Sequence, residues 1–455
     1  MTPVKEFGSW SSHCCGMWPY FPDLLERPVP RYTSYPTAAE FTDDVGAVDQ
    51  IAALDAIAPH ADISLYVHIP YCQEICWYCG CNTGAANRSG RISSYLEALE
   101  EEIHLIARHL GGRGRIHRIA FGGGSPNAIA PLAFVRLLDR IVTELDAASA
   151  EISIELDPRS LDDAWYGVLR QTCVTRASLG VQTLVPRIQK VIGRVQPLAV
   201  IEDATRRLRA AGIESLNFDL MYGLPDQHLA DLETTLSETL QLAPDRIALF
   251  GYAHLPSLLP RQRRIDAGDL PDAHRRFEQA AHGFKVLTGA GYRAIGFDHF
   301  ALPSDPLATA ANQGRLHRNF QGFTDDPADI LIGLGASAIS QFPGLLVQNE
   351  KMAGRYRMLV GAHQLAGRRG VERHAEDHWR GEVIEALLCR GEARMSEDRV
   401  SRSRHALEPF IDKGLVRCGP TWIRIMPAGL PYARMIASCF DRFRTFSKGQ
   451  FSHAV

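Results

Sequence analysis

Between residues 63 and 300, short apolar runs alternate with longer stretches whose apolar residues recur every three or four positions. The short runs are ISLYVHIP (63–70), IHRIAFG (116–122), EISIELD (151–157), TRASLGVQ (175–182), IESLNFDLMYG (213–223), DRIALFGYAHL (245–255) and YRAIGFDHF (292–300). Their length and β-branched or aromatic content predict strands. The longer stretches, 94–110, 132–146, 199–212 and 231–243, have the period of helices that bury one face. Repeated strand-helix units predict an α/β fold with a parallel sheet and right-handed crossovers, and leave open a doubly wound sheet or a barrel. The strands run out into HIPYC, GGGS, ELDP, GVQ, DLMYGLP and GYAHLP. Both architectures gather ligands at those C-terminal ends.

The pattern divides the chain in three. Residues 1–60 are rich in proline and aromatics, including PRYTSYP (30–36), and read as an arm followed by a short helix. Residues 61–355 hold the strand-helix repeat. From 356 to 455 the repeat gives way to helices with a strand pair at WIRIM, a winged-helix-like module of mixed charge. The arm is expected to fold over the mouth of the strand-helix unit and help retain substrate.

Composition narrows the classes. Lys+Arg 49 against Asp+Glu 52 gives a net charge of -3, so no basic excess points to nucleic acid or an anionic membrane. No apolar run approaches the roughly 18 residues of a membrane span, and the N-terminus lacks a signal-peptide layout, so a cytoplasmic monomer is expected. Of ten cysteines, four fall at 72, 76, 79 and 81 and the rest scatter. Cys173, Cys389 and Cys439 lie in apolar contexts and read as buried thiols. The cluster, C-x3-C-x2-C-x-C directly after a strand, favours a metal site over a disulfide framework. Zinc usually takes two ligand pairs from separate segments, whereas three thiolates on one loop can hold an iron-sulfur cluster and leave one iron open. A zinc knuckle is the alternative. The 17 histidines form no H-E-x-x-H pair; His68 is expected to make a structural hydrogen bond, and RQRR (261–264) reads as a solvated turn.

These motifs resemble the radical S-adenosylmethionine (SAM) superfamily, and within it the oxygen-independent coproporphyrinogen III oxidase (dehydrogenase) family. PRYTSYPTAAEF, YVHIPYCQEICWYCGCN, GGGSP, EISIELDPR, SLGVQ, NFDLMYGLP, YAHLP, GFDHFA, LHRNFQGFT, GASAIS and KGLV carry the resemblance along nearly the whole chain. It implies an incomplete TIM-type barrel and a 4Fe-4S cluster on Cys72, Cys76 and Cys79, with Cys81 not a ligand. The open iron would chelate SAM, and its reductive cleavage would give a 5'-deoxyadenosyl radical. Two propionates of coproporphyrinogen III would then each lose a hydrogen atom, CO2 and one electron, giving the vinyl groups of protoporphyrinogen IX.

The resemblance further implies SAM contacts at Tyr66, Tyr78, Gly123, Gly124, Ser125 and Glu155, with Ala253 and Ile339 giving backbone and packing contacts. Gln182, Arg194 and Asp219 would serve a second SAM, and a flavodoxin or ferredoxin would supply electrons. Arg31 and Arg318 are candidates to meet propionates, because guanidinium forks suit carboxylates. Where the family pattern has Thr, Thr and Asn, this chain has Ser125, Asn127 and Gly193, and CRGEAR (389–394) also departs from it. A paralogue acting on another tetrapyrrole and a heme carrier without dehydrogenase activity are the alternatives. Cys81 and PRYTSYP favour the enzyme.

Overall fold

A computed structural model describes residues 18–25, 27–320 and 322–444; Cys14 and Cys15 lie outside them. Its main sheet contains β1 (Asp62–Ile69), β2 (Arg115–Gly123), β3 (Glu151–Leu156), β4 (Val174–Gln182), β5 (Ser215–Tyr222), β6 (Arg246–Gly251), β7 (Arg293–Ile295), β8 (His299–Ala301), β9 (Ile330–Leu334), β10 (Ile339–Phe342), β11 (Leu345–Asn349) and β12 (Gly367–Glu372). The spatial order is β12-β11-β10-β9-β1-β2-β3-β4-β5-β6-β8-β7. From β9 through β6 the neighbours are parallel, and the flanking strands are antiparallel. This is the partial barrel, an arc of parallel strands whose ends are not joined to each other.

Each strand sorts its residues by face. In β3, Ile152, Ile154 and Leu156 are buried while Glu151, Ser153 and Glu155 are only partly so. The apolar set packs with the helices outside; Phe121 of β2, for example, meets Phe134 of helix Pro131–Glu144 edge-on at 4.9 Å. The polar set lines the concave interior. At its N-terminal end Arg118 and Arg176 pair with Asp325 and Glu151, a knot that holds the Asp325 carboxyl well below the usual range despite its burial. Helix Ser89–Leu110 presents Tyr95, Leu99, Ile103, Ile106 and Leu110 to the sheet and stops at left-handed Gly111.

Several expectations change. YRAIGFDHF is not one strand but the antiparallel hairpin β7–β8, because Gly296 turns the chain at φ 61° and a Cβ there would stand 1.9 Å from the Phe323 ring. The sheet also runs past the division expected near residue 355, since β12 pairs with β11. The C-terminal module has a three-stranded sheet, Glu392–Arg394, Trp422–Ile425 and Val416–Cys418, in place of a strand pair. Cys389 is buried as expected and Cys439 is partly covered, but Cys173 is exposed, because it stands just before β4, where Val174 is the residue that turns inward.

The arm is built into the fold. Val29, Tyr32 and Tyr35 are buried. Arg434 donates to the carbonyls of Val29 (2.6 Å) and Pro30 (3.2 Å), and Tyr32 donates to Asp441 at 3.0 Å. On the barrel side Arg31 donates to the Gly251 carbonyl at the end of β6, 3.1 Å away. Among the described residues no helix is long and apolar enough to cross a membrane.

Candidate active site at the barrel mouth

The cysteine loop leaves β1 at the C-terminal end of the sheet. Short parallel strands at Tyr71–Cys72 and Gly84–Ala85 close its base. The glycine run of β2 is fitted to it: a Cβ on Gly122 would meet the Glu155 carboxylate at 2.6 Å, on Gly123 the His68 ring at 2.4 Å, and on Gly124 the Tyr71 carbonyl at 2.4 Å. The N–H groups here are taken, by Glu155 for Gly123, Ile69 for Gly124 and Tyr71 for Ser125. The glycines thus allow close approach between strand and loop.

The sulfurs sit among positive charge. Cys76 is buried, with Arg194 Nη1 at 3.3 Å and Arg159 Nη2 at 3.5 Å from Sγ. Both arginines are held by Asp157, whose carboxyl they keep below its ordinary range against the opposing effect of burial. Cys79 is brought down to about 6 by hydrogen bonding from Cys81, whose backbone N–H lies 3.4 Å from the sulfur, helped by the charges of Arg261 and Arg194. Burial pushes Cys72 up to about 12. Cys81 thus serves as a donor to a neighbouring sulfur.

The polar wall continues around the arc. Tyr66 of β1 is buried against Phe320, with its hydroxyl 3.2 Å from His68 Nδ1. His68 makes the expected structural contacts, its Nε2 lying 3.3 Å from the Asn82 carbonyl, and burial lowers it to about 4. Glu155 is raised to about 7 by burial and by facing Asp219. Asp219 accepts from Ser178 (3.0 Å) and Asn217 (2.8 Å). The register puts Glu155 beside Ser178 and Gly180 beside Asp219, so these groups share one rim. Gln182 closes β4 at φ 65°, an uncommon conformation for a side-chain-bearing residue. Arg194 comes from the loop between helices Pro186–Val191 and Leu198–Ala210 and bonds the Gly180 carbonyl at 2.6 Å. Ile339 lies against Gly333, the register partner of Tyr66.

One assignment needs correction. RQRR is not a solvated turn: residues 260–264 form a 3-10 turn that grips the cysteine loop, with Gln262 buried and Arg261 donating to Thr83 Oγ1 at 2.9 Å. Of the two arginines expected at propionates, Arg31 lines an open cleft with Trp18, Tyr222, Asp298 and Arg434. Arg318 lies underneath, donating to the carbonyls of Arg31 (3.0 Å) and Tyr32 (3.2 Å) and stacking on Phe323. The reading along the chain passed over Asp157, Arg159 and Gln262. Asp157 and Arg159 stand in the same ELDPR motif as Glu155, whereas Gln262 carries no local signal.

A family model for the Radical SAM superfamily matches residues 66–238. An oxygen-independent coproporphyrinogen III oxidase from Bradyrhizobium diazoefficiens is 39% identical over 94% of this chain and 98% of the relative. One from Pseudomonas aeruginosa is 39% identical over 95% of this chain and 98% of the relative. The chain belongs to the oxygen-independent coproporphyrinogen III oxidase family. The solved structure of coproporphyrinogen III oxidase (HemN) from Escherichia coli, described as a radical SAM enzyme, superposes with a TM-score of 0.88 at 35% identity, covering 94% of this chain and all of that one.

Members of this oxidase family are radical SAM enzymes, which use a 4Fe-4S cluster and SAM. The donor set fits. Three cysteines stand on one loop, and Cys76 Sγ lies within hydrogen-bond reach of Arg194 and Arg159. A four-iron cluster gives each of three thiolates its own iron and leaves the fourth iron open.

Proposed function

We propose that this oxidase converts coproporphyrinogen III to protoporphyrinogen IX, with Cys72, Cys76 and Cys79 holding the cluster and two SAM molecules at the barrel mouth. The observation that carries the reading is the placement of three cysteines on one loop, beside two arginines and along the same rim as Tyr66, Glu155 and Asp219. When bound, the cluster would supply the electron that splits SAM, and the 5'-deoxyadenosyl radical so released would take a hydrogen atom from a propionate side chain, which would then lose CO2 and pass one electron to a one-electron acceptor to leave a vinyl group.

The chain's own residues orient and shield. Tyr66, Gly123, Gly124, Ser125, Glu155 and Ile339 form the part of the rim next to β1 to β3, assigned to the first SAM. Tyr78, Gln182, Arg194, Asp219 and Ala253 lie toward β4 to β6, where Arg194 supplies positive charge and Asp219 can accept from an amino group or hydroxyl. Asp157 keeps Arg194 and Arg159 aimed at the Cys76 sulfur, offsetting negative charge on a bound thiolate. Arg31 offers its guanidinium to a propionate, and Arg318 carries the main chain of the arm that bears it. A flavodoxin or ferredoxin is the proposed electron donor.

Anaerobic reconstitution followed by iron and sulfide analysis tests the ligand set. Wild-type protein and Cys81→Ala are expected to hold about four irons, and Cys76→Ala to lose the complete cluster. A full, SAM-responsive cluster in Cys76→Ala would refute the assignment. Incubation of wild-type protein with coproporphyrinogen III, SAM and a reductant is expected to yield protoporphyrinogen IX, and heme binding without any product would favour the carrier reading.

A further inference from the structure

The turn at Pro260–Arg264 lies nearly two hundred residues from the cysteine loop in sequence, yet it holds that loop at several points. Arg261 bonds the Thr83 hydroxyl at 2.9 Å and the Thr83 carbonyl at 3.0 Å. The guanidinium of Arg264 lies over the Trp77 ring, 5.4 Å from its centroid. Gln262 stands between them with its side chain fully engaged. Its Nε2 donates to the Tyr78 carbonyl at 2.8 Å and the Ala253 carbonyl at 3.0 Å, and its Oε1 accepts from the Leu255 N–H at 2.6 Å.

One buried carboxamide therefore fixes the distance between two segments that share no backbone hydrogen bond in the structure: the stretch between Cys76 and Cys79, and the loop after β6. Tyr78 packs with Trp77 among Ile188, Ile192, Met221 and Tyr252, and its phenol faces Arg194. Met221 lies two residues beyond Asp219 on the same strand. We propose that Gln262 is a positioning residue for the second SAM, holding Tyr78 and Ala253 on either side of a site completed by Arg194 and Asp219.

This rests on the two-SAM reading. A bound cluster pins Cys76 and Cys79 through their sulfurs, so the loop has another anchor without Gln262. Across the span from Tyr78 to Ala253, Gln262 supplies the hydrogen-bonded link, beside the apolar packing of Tyr78 with Tyr252. An apolar replacement would leave two carbonyls and one N–H without their partner, enough to open the gap.

The test compares reconstituted wild-type protein with Gln262→Leu and Gln262→Glu. Gln262→Glu keeps the side-chain length and the acceptor for Leu255 but loses both donors. The measurements are iron content, the change that SAM produces in the reduced-cluster electron paramagnetic resonance (EPR) signal, and equilibrium SAM binding. Wild-type protein is expected to bind two SAM, and saturation at one would overturn the two-SAM reading itself. Given two sites in the wild type, both variants should retain iron and the SAM-induced EPR change while the weaker SAM site loses affinity about tenfold or more. Wild-type affinity at both sites in Gln262→Leu would overturn the role of Gln262. Loss of the cluster in both variants would also overturn it, making the residue a structural support of the cysteine loop.

Discussion

Gly193 shows how one residue answers another across this site. Its φ of 66° is left-handed, and a Cβ would stand 2.8 Å from the indole of Trp77 in the cysteine loop. The missing side chain is the room that Trp77 fills. Gly193→Ala should cost about 1–3 kcal/mol through backbone strain and overlap with the ring. Thermal unfolding of the reconstituted protein checks this; Gly193→Ala combined with Trp77→Phe should recover part of the loss, and equal stabilities for single variant and wild type would refute the coupling. Asn127 has a similar explanation, since its amide accepts from Ser125 (2.5 Å) and the Asp157 N–H (3.0 Å) and donates to the Asp157 carbonyl (2.9 Å), tying the glycine run to the strand that carries Glu155. The cysteines were legible because their message is local, three thiols within one loop. Gln262 was not, because a glutamine between arginines looks solvated until the fold brings Tyr78 and Ala253 to either side of it.

Elements are joined by a few buried polar groups, of which Glu102 is the most demanding. It sits in helix Ser89–Leu110 and accepts from the Gly335 N–H (2.6 Å), Asn349 (2.7 Å) and the Tyr356 hydroxyl (2.7 Å), binding the helix to the loop after β9, to β11 and to helix Ala353–Gly361. Burial raises its carboxyl to about 7 despite these donors. The folded chain therefore holds a proton that the unfolded chain gives up near the ordinary 4.5. Stability from this group is complete below pH 4.5 and declines as pH rises toward about 7, by an amount on the order of 3 kcal/mol. Unfolding of wild-type protein and Glu102→Gln at pH 5 and pH 8 should show a smaller pH difference in the variant, and an unchanged difference would assign the dependence elsewhere. The parallel strands and their helices could be read from the sequence because each pairs one apolar face with another. The hairpin at 292–300 and the strands beyond 330 were less plain. The first turns on the conformation of Gly296, and the second are short runs whose partners lie across the sheet from their sequence neighbours.

At the scale of the whole molecule, the arm couples the barrel to the C-terminal module. Removing residues 1–36 takes away Val29, Tyr32 and Tyr35 from the core and the carbonyl partners of Arg318 and Arg434. The expected outcome is a protein that still assembles the cluster but unfolds at least 5 °C lower, since three buried side chains are worth several kcal/mol, and turns over coproporphyrinogen III more slowly. Unchanged unfolding and turnover would show that the arm is dispensable. The alternation in β3 carries a longer consequence. Ile152, Ile154 and Leu156 secure the strand to the helices, while Ser153 and Glu155 face the cavity and add little to the packing. Inheritance can therefore act on the two faces separately: inward residues can be exchanged through descent while the outward ones keep the sheet together, so that such a scaffold can acquire a new substrate without first becoming a new fold.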